Sequence, residues 1–230
     1  MTFVDIYSID VWANVLTAPI AYLIGAVAFI AYARRRSVMA LLFSIAFFLL
    51  VIPSLNLFLW YFYDYGLVDW VVAGAVTVTA FLLLTLAYIV QIGRHSVRLS
   101  RLQSWVVLLS FGLALAYTVY LSLPFLPYYG FGALVQNALY YIPIGLIAIV
   151  VTLMVSLHRE RDNRITLVGM FGFILMLAPC ATIGSLLVMG MLGYVRAASD
   201  GWMDPALDVV NLLGCVVFLT AMLRMHAVKH

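Results

Sequence analysis

Residues 11–36 read VWANVLTAPIAYLIGAVAFIAYARRR. No charged side chain stands between Val11 and Ala33, and Arg34, Arg35 and Arg36 close the run. A bilayer hydrocarbon core about 30 Å thick is crossed by about 20 apolar residues in helical form. The stretch therefore reads as a membrane span with a basic end. No basic stretch precedes it, so it does not read as a cleaved signal.

The same pattern recurs along the chain. Spans are expected near 11–33, 38–63, 67–92, 104–127, 132–157, 165–194 and 205–225, as a single seven-helix transmembrane domain over residues 1–230. The expected fold class is an all-α polytopic membrane protein. Composition agrees: 67% of residues are hydrophobic and 9% charged, against about 25% charged in soluble domains. With a mean hydropathy of +1.15, a water-soluble globule is excluded. Two cysteines exclude a disulfide framework. Connections of a few residues lead to the expectation that consecutive helices pack antiparallel. No internal repeat is seen.

Charge sets the expected orientation. Eleven of the 12 basic residues, from Arg34 to Lys229, fall at one set of span ends, and only Arg196 falls at the other. Seven of the nine acids (Asp5, Asp10, Asp64, Asp69, Asp200, Asp204 and Asp208) share the end with Arg196. The positive-inside rule places the N-terminus outside and the C-terminus in the cytoplasm. An even number of spans would scramble this partition. Asp204-Pro205 is expected to start the seventh span, with the aspartate as N-cap and the proline in the first turn.

Several chemistries are excluded. The four histidines, His95, His158, His226 and His230, all fall at the basic ends. None reaches bilayer depth to hold haem, copper or di-iron, and no metal site is expected. No HExxH, Gly-rich phosphate loop or serine elbow is present, so no catalytic residue and no enzyme activity is expected. No cofactor is expected. An ion-coupled transporter usually carries an ionisable group at mid-bilayer, and none is present here. Cys180 and Cys215 read as packing thiols near the middle of the sixth and seventh spans.

Candidate ligand-binding residues lie at the acidic ends. Asp69-Trp70 opens the third span. Asp208 lies one turn into the seventh, with Asn211 three residues on and on the same face. The ordinary role of such acids is to complement helix dipoles; the functional alternative is a polar vestibule for a cation, proton or ligand. Aromatic residues crowd the same ends, among them Tyr140 and Tyr141. They form either an interfacial belt or the wall of a pocket for a lipid, quinone, carotenoid or cationic ligand. Asn56, Asn137, Asn211 and the threonines at 77, 79, 85 and 182 need partners in hydrocarbon, and helix packing is their expected role. Pro53, Pro143 and Pro179 fall inside the second, fifth and sixth spans and are the candidate hinges. Gly169, Gly172, Gly184, Gly190 and Gly193 mark the sixth span as close-packed or mobile.

Some of these residues resemble a known family. Leu67-Val68-Asp69-Trp70 resembles the third-helix segment of the microbial rhodopsins, where the aspartate is a counter-ion. Val51-Ile52-Pro53 is similar to that family's second-helix proline segment, Pro179 to its sixth-helix proline, and Leu207-Asp208-Val209 to the segment carrying its second counter-ion. The resemblance implies an opsin-like seven-helix fold. The departures from that family's pattern exclude covalent retinal. The retinal lysine expected four residues after Asp208 is Leu212, and the only lysine is Lys229, in the tail. Gly66 replaces the expected arginine, and Leu175 and Ala178 replace the aromatic clamp. A relative of this kind would lack pumping activity.

The expected function is a non-enzymatic sensor or accessory protein of a prokaryotic cell membrane, with an outer aromatic and acidic pocket. The segments 94–101 and 158–164 would be its cytoplasmic output. The alternatives are a structural or assembly subunit of a larger membrane complex and, third, a small-molecule or lipid transporter. Expected partners are the lipid bilayer, a membrane protein partner or transducer, and an apolar small molecule, with no nucleic acid.

Overall fold

The computed structural model describes residues 3–60, 67–94, 101–158, 164–191 and 203–227. Every described element is helical: α1 (Phe3–Arg35), α2 (Val38–Trp60), α3 (Leu67–Arg94), α4 (Arg101–Ser122), α5 (Leu126–Tyr129), α6 (Phe131–His158), α7 (Arg164–Met191) and α8 (Met203–Ala227). Seven of them, all but the one-turn α5, are long and apolar enough to cross a membrane. The fifth, sixth and seventh expected spans are thus α6, α7 and α8.

The boundaries differ from expectation where local chemistry intervenes. α1 begins at Phe3, eight residues before the expected span, because nothing before Val11 breaks a helix and an acidic residue, Asp5, falls in its first turn. It also runs through Pro19. The fourth span, Leu102–Tyr129, is not one regular helix, since α4 stops at Ser122. Pro124 and Pro127 each lack an amide donor, and the chain tightens into a 3-10 turn, Leu123–Phe125, and then α5. Gly130 closes that turn at φ 53°, where its amide donates to the Leu126 carbonyl. α8 starts at Met203, which puts Asp204 and Pro205 inside its first turn.

Only Arg36 and Ser37 join α1 to α2. Arg36 takes a left-handed conformation, φ 51°, and its amide donates to the Tyr32 carbonyl at 2.7 Å. Its guanidinium lies over the Tyr32 ring, 5.7 Å from the centroid.

Six helices close a ring. α1 packs on α2, α2 on α3, α3 on α6, α6 on α7, α7 on α8, and α8 back on α1. The fourth span stands outside that ring. α4 packs on α6, and it shares no substantial contact with α3, which precedes it in the chain. The expectation that consecutive helices pair therefore fails at this one step. Its neighbour is chosen by fit: a Cβ on Gly145 of α6 would lie 2.7 Å from the Ala114 Cβ and 3.0 Å from the Ser110 carbonyl oxygen of α4. Only glycine admits α4 so closely.

The ring is filled by one apolar core. Phe218 of α8 stacks on Phe47 of α2, centroids 5.1 Å apart, and also touches Phe43. Phe43 meets Tyr88 of α3 edge-on, and Tyr88 packs on Phe173 of α7. Ile24, Leu84, Leu146 and Leu177 complete the centre and are fully buried. α7 and α8 approach most closely at a reciprocal glycine contact. A Cβ on Gly172 would lie 2.8 Å from the Phe218 amide nitrogen, and one on Gly214 would lie 2.7 Å from that of Met176. In lipid, where tails are as apolar as leucine, such close fits hold helices together.

Candidate functional site

The bundle has an acidic end, where α1, α3 and α8 begin, and a basic end, where α1 finishes at Arg34-Arg35. At the acidic end, Asn14 Nδ2 of α1 donates to Asp208 Oδ2 of α8 at 2.8 Å. Asn14 is buried and Asp208 half-buried. The bond joins helices that lie 194 residues apart in the chain. A hydrogen bond to a charged group contributes about 1.5–3 kcal/mol. Its donor was not among the expected site residues. One signal was available: Asn14 is the only amide or charge between Val11 and Ala33.

Asn211, one turn beyond Asp208, is half-buried on α8. Cys180 of α7 and Cys215 of α8 are free thiols. Asn56 lies in α2, and Asp69 and Trp70 in α3; their side chains fall outside the described set. Pro53, Pro143 and Pro179 sit within continuous helices, and Pro143 is fully buried. Beside Pro53, the Ser54 hydroxyl donates to the Leu50 carbonyl at 3.1 Å.

The tyrosines belong to a different interface. Tyr141 of α6 meets Tyr117 of α4 edge-on, with centroids 5.1 Å apart and ring planes at 85°. A turn away on the same seam, Asn137 Nδ2 donates to Ser122 Oγ at 3.1 Å, and Ser122 Oγ donates to the Thr118 carbonyl at 2.7 Å. Tyr141 is 2% exposed, yet its hydroxyl has no hydrogen-bond partner among the described residues. An unmet buried hydroxyl costs about 1–3 kcal/mol. The expected site residues thus divide between two seams: Asp208 joins α8 to α1, and Tyr141 joins α6 to α4.

The threonines behave differently from the amides. Thr77, Thr79 and Thr85 each donate to the carbonyl four residues earlier in α3. Their hydroxyls are satisfied within the helix, which needs no neighbour. Asn14 and Asn137 instead donate to side chains of other helices.

Comparison with protein-family models, curated proteins and solved structures finds no match.

Proposed function

We propose that this chain is a non-enzymatic, multi-pass sensor or accessory protein of a prokaryotic cell membrane. Its N-terminus lies outside and its C-terminus in the cytoplasm. The partition of basic residues to one set of ends supports that orientation. The observation that carries the sensing role is the Asn14–Asp208 bond at the acidic end. A cation or polar ligand that engages the Asp208 carboxylate competes with Asn14 and loosens α8 from α1. The reciprocal glycine contact makes α7 follow α8, and α7 begins at Arg164, beside the cytoplasmic segment 158–164. A ligand shifts such an equilibrium only by its differential affinity for the two arrangements.

The test is thermal unfolding of the purified protein during titration with calcium chloride, choline chloride and acid. A midpoint shift in the parent that disappears in Asp208→Asn supports the reading. The same shift in both Asp208→Asn and Asp69→Asn overturns it.

A second reading, a structural or assembly subunit of a larger complex, is favoured by α4. This helix stands outside the ring and presents Trp105, Leu108, Leu113 and Tyr120 outward. Native mass spectrometry of the mildly solubilised protein decides it: a stoichiometric protein partner makes the chain a subunit.

A further inference from the structure

The seam between α4 and α6 holds a donor without an acceptor. Tyr141 is 2% exposed, its ring is held edge-on by Tyr117, and its hydroxyl has no partner among the described residues. The nearest polar set is already engaged internally: the Asn137 amide with Ser122, and Ser122 with the backbone of Thr118 and Ala133. The one side chain shown against the Tyr141 ring is Tyr117, edge-on at 5.1 Å between centroids.

Access is lateral. Among the described helices α4 packs chiefly on α6, so the seam lies at the side of the bundle rather than inside the ring. Tyr117, 37% exposed, stands at the boundary between that surface and Tyr141. Leu113 and Tyr120, on the same helix as Tyr117, are exposed. Whatever reaches the Tyr141 hydroxyl from the flank arrives through hydrocarbon.

We propose that the α4–α6 seam binds a membrane-soluble molecule with an apolar body, whose carbonyl oxygen accepts a hydrogen bond from Tyr141 Oη. A quinone and a phospholipid ester both supply such a carbonyl. In lipid-facing surroundings a donor without water finds its acceptor on such a molecule. The site lies on a different interface from Asp208 and does not rest on the sensing role.

The experiment is native mass spectrometry of the full chain in detergent, titrated separately with decylubiquinone and with dioleoylphosphatidylglycerol. The expected result is saturable retention of one equivalent of at least one probe. Tyr141→Phe is expected to weaken that binding about tenfold, the effect of one hydrogen bond. Asp208→Asn is expected to leave it unchanged, which separates this site from the acidic end. Retention of the quinone alone, or of the phospholipid alone, identifies the source of the carbonyl. In the infrared, the bound carbonyl stretch is expected at lower frequency in the parent than in Tyr141→Phe. Equal binding by parent and variant overturns the proposal. So does the absence of saturable binding of either probe. A Tyr141→Phe chain that is more stable but binds identically also overturns it, since the hydroxyl would then be an unmet donor that no ligand engages.

Discussion

The Asn14 carboxamide donates to the Asp208 carboxylate at 2.8 Å, a bond between the first described helix and the last. It lies where α8 packs back on α1 to complete the ring. Asn14→Ala removes this donor from the carboxylate. The expected loss is about 1–3 kcal/mol of unfolding free energy, measured by reversible denaturation in mixed micelles. A double-mutant cycle with Asp208→Ala is expected to give a coupling of about 0.5–2 kcal/mol. Additive single effects would show that the two side chains act independently.

Glycines predict opposite outcomes according to what surrounds them. Gly214→Ala places a Cβ 2.7 Å from the Met176 amide nitrogen, a backbone atom that cannot swing aside. Overpacking of this kind costs about 1–3 kcal/mol. A Cβ on Gly112 meets nothing within 4 Å. Gly112→Ala is therefore expected to be neutral or to stabilise α4 by up to about 1 kcal/mol. Measured side by side, the thermal midpoint of Gly214→Ala should fall and that of Gly112→Ala should hold or rise.

The seat of α4 depends on Gly145. Gly145→Val drives a side chain into Ala114 and the Ser110 carbonyl, and α4 is expected to lift from α6. Ser122 is fully buried in that seam. In a background with Cys180 and Cys215 replaced, a Ser122→Cys thiol should be protected from a membrane-permeant maleimide. Adding Gly145→Val should speed its labelling at least about tenfold, while the ring core stays folded.

The aromatic core is the main store of packing energy. Phe218 touches Phe43 and Phe47 and is almost fully buried. Phe218→Ala should cost about 3–5 kcal/mol through lost contacts and a cavity. Leu113→Ala, on the outward face of α4, should change stability by less than about 0.5 kcal/mol. Unfolding curves of the two variants check this.

Orientation is checked in whole cells. In the same cysteine-free background, Thr2→Cys is expected to react with a membrane-impermeant maleimide from outside. Val228→Cys is expected to react only after the cells are opened.

Part of the site was legible in the residues themselves. Asp208 stood out because a carboxylate one turn inside an apolar span is rare, and Tyr141 because of its place in an aromatic crowd. Asn14 did not stand out as a partner, since nothing local links it to a residue 194 positions away. The orphaned hydroxyl of Tyr141 was equally hidden: its state depends on α4, whose position follows from Gly145.

The number of spans and the partition of charge between their ends follow from the sequence alone. Both are local, additive properties: 20 apolar residues suffice to cross a bilayer wherever they stand, and each arginine carries its charge independently of the fold. The ring of six helices, the outlying α4 and the two polar seams were decided only by tertiary structure. These spans are apolar on every side, so no amphipathic stripe announces which face is buried. Neighbours are selected instead by how closely two backbones fit, at Gly145 against Ser110 and at Gly172 against Gly214. Fit of that kind exists only between helices already placed together in three dimensions.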